Sequence, residues 1–225
     1  MRDCDIRPTL REWLDYRYCS EPNSLIVEEL GLCQGSVRAD FAVVNGSLKG
    51  FEIKSEHDSL ARLDKQAATY SQVFDSVSLV AAERHLKQAR AIVPRWWGIC
   101  VIRTAQGSLP SVEVLRKEKP NPYVDAKSIV QLLWKDEAIE ILARAVPGVV
   151  RTSKARGLLW AELVETLPLA ELKEVVRTTL KTRRNWRVDQ AQTQDDVTFQ
   201  PFAKLSNSPA HVSGARTRRY THRPN

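Results

Sequence analysis

The chain has 225 residues, 43% of them hydrophobic and 27% charged, with a net charge of +7 and a pI near 9.4. That length is enough for one buried core plus an appendage, and no run of eighteen apolar residues occurs, which excludes an apolar membrane-spanning helix. The opening stretch MRDCDIRPTLREW holds no apolar signal region, so a soluble, cytoplasmic protein with no membrane partner is expected.

Residues 6–19, IRPTLREWLDYRYC, read as an amphipathic helix with Pro8 in its first turn and Leu10, Trp13 and Leu14 on one stripe. Its expected role is packing. A second helix is expected from a cap at Asn23 or Ser24 to Gly31, with Leu25, Ile26 and Leu30 as its apolar face. Glu29 follows Ile26 by three and Leu25 by four, so it falls within the inward stripe, whereas Glu28 projects away.

Two alternating runs follow, VRADFAVV and LKGFEIK, separated by Asn45-Gly46, a strong hairpin signal. Alternation assigns Phe41, Val43, Phe51 and Ile53 to one face and Asp40, Glu52 and Lys54 to the other. One acid on the solvent face of a hairpin is merely solubilising. These three make a site only if Asp40 and Glu52 face the same side, and loop length decides that. A two-residue loop would pair Val44 with Ser47 and set Asp40 opposite Phe51. A three-residue loop, Asn45-Gly46-Ser47, pairs Val44 with Leu48 and brings Asp40 opposite Glu52. The odd-length loop is expected, with Gly46 or a neighbouring bulge supplying a left-handed residue.

The helix that follows, from about Ser59 to Asp75, carries Leu60, Leu63, Ala67, Tyr70 and Phe74 at steps of three and four. Tyr70 is well explained as a core aromatic. Gln66, four before it on the same side, is a polar group beside an apolar stripe and calls for a partner. Arg62, four before Gln66, either faces a phosphate with them or is solvated.

The runs at 77–82 and 98–104 suit buried strands, and ERHLKQARAIV between them makes a βαβ unit with parallel neighbours. Trp96 and Trp97 read better as a lid on the core edge than as a base-stacking platform. Residues 105–124, with Gly107, Pro110, Pro120 and Pro122, read as a connecting loop. Three helical segments follow to about residue 187, and the last two read as a helical hairpin covering the core or, alternatively, as a helix-turn-helix. After Thr182 eight Lys or Arg stand against three Asp, so +5 of the +7 lies there, and periodicity stops beyond Trp186. The expected division is a core at 1–105, a linker at 106–124, a helical region at 125–187 and a basic, flexible tail at 188–225.

Cys4, Cys19, Cys33 and Cys100 are widely spaced and expected to be reduced and mostly buried; neither they nor the four histidines have metal-ligand spacing.

Asp40 followed across a turn by Glu52-x-Lys54 resembles the PD-(D/E)XK nuclease superfamily, with Ala39 in place of its optional proline. Gln66-x-x-x-Tyr70 is similar to the Q-x-x-x-Y extension of its exonuclease-like branches, and ELGL, RADFAVVNG, EIKSEHDSLARL, QAATYSQVFD and RWWGI resemble a family of small stand-alone bacterial proteins of this fold. The resemblance covers about residues 22–104 well and extends loosely to about 187. It implies an α/β, restriction-endonuclease-like mixed sheet flanked by helices, with the C-terminal helices appended. It also implies a metal-dependent nuclease, acting on DNA more readily than RNA, in DNA processing or defence.

In that reading Mg²⁺, or Mn²⁺ in its place, is held by Asp40, Glu52, the carbonyl of Ile53 and Glu29. Such an ion polarises the scissile phosphate. Lys54, an ammonium beside two carboxylates, keeps its proton and stabilises the developing phosphate charge. Gln66, Tyr70 and Arg62 would hold the strand backbone. The alternative is a nuclease-like fold that binds nucleic acid or a protein partner without cutting; a third is cleavage that runs only when a partner delivers the substrate.

Overall fold

The structure, a computed structural model, describes residues 2–21, 23–104, 109–149 and 151–183. The basic tail at 188–225 lies outside them. In chain order come α1 (Asp3–Tyr18), β1 (Leu25–Leu32), β2 (Val37–Val44), β3 (Leu48–Lys54), α2 (Leu63–Val73), β4 (Ser76–Ala81), α3 (Leu86–Ile92), β5 (Gly98–Arg103) and β6 (Ser111–Arg116), then α4 (Ala126–Ile129), α5 (Lys135–Ala145), α6 (Arg156–Thr166) and α7 (Leu169–Thr182). The strands form one six-stranded sheet in chain order. Neighbours from β1 to β3 are antiparallel, β3, β4 and β5 are parallel, and β6 returns antiparallel to β5. This is the expected α/β class, with β4-α3-β5 as its βαβ unit.

Helices cover both faces, so the central strands β2 to β5 are largely buried, while the edge strand β6 stays partly exposed. Helix α1 lays Ile6, Leu10, Leu14 and Tyr18 on Phe41, Val43, Phe51 and Ile53. The opposite face joins Val44, Leu48 and Leu79 to Leu63, Ala67 and Tyr70 of α2 and to Leu159, Leu163, Leu172, Val176 and Leu180 of α6 and α7. The C-terminal helices thus share the core of the sheet, as the covering hairpin requires. Trp97 is fully buried and Trp96 nearly so, consistent with a lid.

Two stretches differ from expectation. The second helix, expected at 24–31, is strand β1, which pairs with β2 from Leu25 opposite Val44 to Leu32 opposite Val37. A short apolar run fits either period, and the tight turn after it decides. Cys33, Gln34 and Gly35 all take left-handed φ and fold β1 back onto β2. Asn23 is left-handed too, a turn residue rather than a cap. The connection at 106–124 carries β6, whose burial is partial because it lies at the sheet edge. The cysteines are less buried than expected: Cys4 and Cys19 are exposed and only Cys100 is fully buried.

Helix α2 sits close to the sheet because β3 carries Gly50. A Cβ there would lie 2.6 Å from the Phe74 ring, well inside contact distance. The close approach also seats Tyr70, one turn earlier, over Glu52.

Candidate functional site

The hairpin register is the odd-length one. Val44 pairs with Leu48 and Phe41 with Phe51, so the next step sets Asp40 across from Glu52. No residue of the loop is left-handed, contrary to the expectation for Gly46. The Asn45 side chain closes the turn instead, its Oδ1 accepting the Ser47 N–H at 2.9 Å.

The β2–β3 ladder stops at Phe41 and Phe51, and the Asp40 carboxylate enters the split. Its Oδ2 accepts the Ile53 N–H at 2.7 Å, taking the place of a backbone partner. Ile53, expected to offer its carbonyl, thus meets the site through its amide. On β1 the flanking pairs Glu28–Phe41 and Leu30–Ala39 set Glu29 beside Asp40. Glu29, expected on a helix, reaches the same place from a strand, and a row of Glu29, Asp40 and Glu52 crosses three adjacent strands. Glu29 has φ of +54°, an uncommon value for a residue with a Cβ. Here the strands change which residues face the core: Val27 and Leu30, and likewise Ala39 and Ala42, all join the same cluster.

At the inner end, Glu52 is saturated. Its Oε1 accepts Lys54 Nζ at 2.6 Å and Gln66 Nε2 at 2.5 Å, and its Oε2 accepts the Tyr70 hydroxyl at 2.5 Å. Gln66 turns its Oε1 to Lys54 Nζ at 2.9 Å, closing the network. The side chains of Glu52 and Lys54 are 2% and 7% exposed, so this is a buried ion pair that needs all these donors. Burial, then the Glu52 charge, hold Tyr70 neutral by raising its pKa. Helical spacing brings Gln66 and Tyr70 together as expected, but both point at Glu52. Arg62 is exposed at the N-terminal end of α2; its carbonyl accepts the Gln66 N–H, and its side chain is not drawn into the cluster.

At the outer end a residue missed by sequence reasoning takes over. Arg7 of α1 places Nη2 2.5 Å from Asp40 Oδ1 and 2.7 Å from Glu29 Oε1, and donates from Nε to Asp3 at 2.7 Å. Arg38 pairs with the other Glu29 oxygen at 2.8 Å. Burial and the Glu52 charge still raise Asp40 to about 7, against the Ile53 amide and Arg7, which lower it. No local pattern marks Arg7. Its one clue is position, next to Ile6 on the face that α1 must bury.

The implied cation can be tested against these groups. The donors are hard carboxylate oxygens of the kind Mg²⁺ takes, and a cation would offset the burial and the Glu52 charge that together raise Asp40. They fit such an ion on one condition, that protein donors now on Asp40 and Glu52 give way. Among the described residues no three His, Cys, Asp or Glu side chains form a ready ligand set. A cavity of about 300 Å³ lies next to Lys54, at the ends of β4 and β5, but Glu56 and Glu83 line it with Arg103, which makes it a poor phosphate pocket. Among the described residues no helix is long and apolar enough to cross a membrane.

Comparison with known proteins supplies the family. Protein cII of Enterobacteria phage P4 is 27% identical over 183 residues, covering 81% of this chain and 68% of that protein. Among solved structures, the SPO1766 protein of unknown function from Silicibacter pomeroyi aligns at 16% identity and a TM-score of 0.37, over 67% of this chain and 92% of its own. The description that fits nearly the whole chain is bacteriophage P4 protein cII, matched over residues 1–199, and the chain belongs to that family.

Proposed function

We propose that this protein is a metal-dependent nuclease that hydrolyses phosphodiester bonds, with DNA the more favoured substrate and Mg²⁺ or Mn²⁺ as cofactor. The observation that carries this reading is that Glu29, Asp40 and Glu52 come from neighbouring positions on three adjacent strands where the regular pairing breaks, with Lys54 on Glu52 and the Asp40 carboxylate on the Ile53 amide. When bound, the cation supplies positive charge to the scissile phosphate and acidifies water. Asp40 and Glu52 would hold it, with Glu29 at the outer edge. Lys54 anchors Glu52 and offers its ammonium to charge developing on the phosphoryl oxygens. Gln66 and Tyr70 act as positioning residues, since their donors fix both oxygens of Glu52.

A second reading rests on the same contacts. Glu52 has a donor on each oxygen and Asp40 is held by Arg7, as in a polar cluster that only locks the fold. In that case the protein binds nucleic acid or a protein partner without cutting it. Cleavage of single- and double-stranded DNA and of RNA, with Mg²⁺, Mn²⁺ or EDTA, separates the two when wild type is compared with folded Lys54→Ala and Glu52→Gln. The nuclease reading expects metal-dependent cleavage lost in both variants. Binding without cleavage in all three proteins would replace it with the second.

A further inference from the structure

We propose that Arg7 is the resident counter-ion of this site and that a divalent cation reaches Asp40 only in exchange for it. The proposal rests on the nuclease reading above and adds a residue from outside the hairpin and α2. One nitrogen of Arg7 bridges Asp40 Oδ1 at 2.5 Å and Glu29 Oε1 at 2.7 Å, the two acids a cation at the outer end of the row would join. A guanidinium does not deprotonate in proteins, so Arg7 can vacate that position only by moving.

The structure holds what such a movement needs. Arg7 Nε is bonded to Asp3 Oδ2, one helical turn back on α1, which keeps a partner for the guanidinium after it leaves Asp40. The Arg7 side chain is 25% exposed, neither sealed in nor free, and its guanidinium lies 5.9 Å from the centre of the Phe41 ring. Helix α1 itself need not shift, because Ile6, Leu10, Leu14 and Tyr18 anchor it independently. Glu29 keeps Arg38 on its other oxygen. Occupancy by Arg7 therefore lowers the cation affinity of the pair, and removing it leaves Asp40 short of positive charge while Glu29 retains Arg38.

The test is Mn²⁺ binding to the full chain by calorimetry at pH 7.5, for wild type, Arg7→Gln and Asp40→Asn. Arg7→Gln is expected to bind at least tenfold more tightly than wild type, and Asp40→Asn to lose binding. Equal or weaker binding by Arg7→Gln, with wild type binding and Asp40→Asn not, would overturn the exchange and leave the nuclease reading standing. No binding by any of the three overturns both. Should Arg7→Gln fail to fold, side-chain NMR of arginine-labelled wild type decides: Mg²⁺ at saturation is expected to move the Arg7 Nε–H resonance. An unmoved resonance in protein that binds Mg²⁺ rejects the proposal.

Discussion

Glu52 is neutralised from within its own half of the molecule: Lys54 stands two residues along the same strand, and Gln66 and Tyr70 come from the helix packed on it. Asp40, across the hairpin, takes one donor from the Ile53 backbone and, among the described residues, its paired positive charge from Arg7, on the helix of the opposite face. The first arrangement is buried and closed, and every donor is fixed by core packing. The second opens at the split between β2 and β3, its counter-ion is partly exposed, and its carboxyl is raised to about 7. Two acids of one hairpin are thus held differently: Glu52 in one geometry by fixed donors, Asp40 more loosely by a partly exposed arginine.

The contrast breaks most visibly at Lys54. Lys54→Met leaves Glu52 charged and buried without its cation, and removing one partner of such a pair costs about 3–5 kcal/mol. Chemical denaturation should show a loss of that size; a loss under 1 kcal/mol would mean that water reaches Glu52. Tyr70→Phe strips only one oxygen of its donor, for which ~1–3 kcal/mol is expected, with little change in the ring packing against Phe74 and Trp97.

At the other end the sign depends on pH. With a folded pKa of about 7 and an unfolded value near ~3.9, Asp40 holds a proton in the folded state that the unfolded chain lacks across that window. Its contribution is complete below about pH 4 and is lost as pH rises through about 7. Asp40→Asn cannot titrate, so in EDTA its stability relative to wild type should rise from pH 5 to pH 8 by on the order of 2 kcal/mol. A flat difference would show that Arg7 holds Asp40 ionised throughout. The smallest effect is expected at Arg38, whose side chain is 63% exposed: Arg38→Ala should change stability by less than ~1 kcal/mol, measured by the same denaturation.

Much of the site was legible because it depends on counting along the chain. Alternation gave the face of Phe41, Val43, Phe51 and Ile53 but not the break between Ala39 and Ala42 at which Asp40 meets Arg7 of α1; the number of residues between Val44 and Leu48 gave the register, and a spacing of four put Gln66 and Tyr70 on one side of α2. Burial of both sheet faces, and with it the parallel βαβ unit, followed from β-branched runs too apolar to face water. Periodicity could not decide segments short enough to satisfy either pattern. Leu25–Leu32 became a strand only because a left-handed turn at Cys33–Gly35 returned it to β2, and 111–116 became a strand because β5 offered an open edge.

The targets of the polar side chains were decided only in three dimensions. Gln66 and Tyr70 turn toward Glu52 because a carboxylate under a helix has to be given donors, and those two are nearest. Arg7 meets Asp40 33 residues away because packing of Ile6, Leu10 and Leu14 on Phe41 and Phe51 sets α1 over the split in the sheet. Local periodicity determines which face a residue belongs to; desolvation, which depends on what the rest of the chain lays over that face, determines which charge it must find.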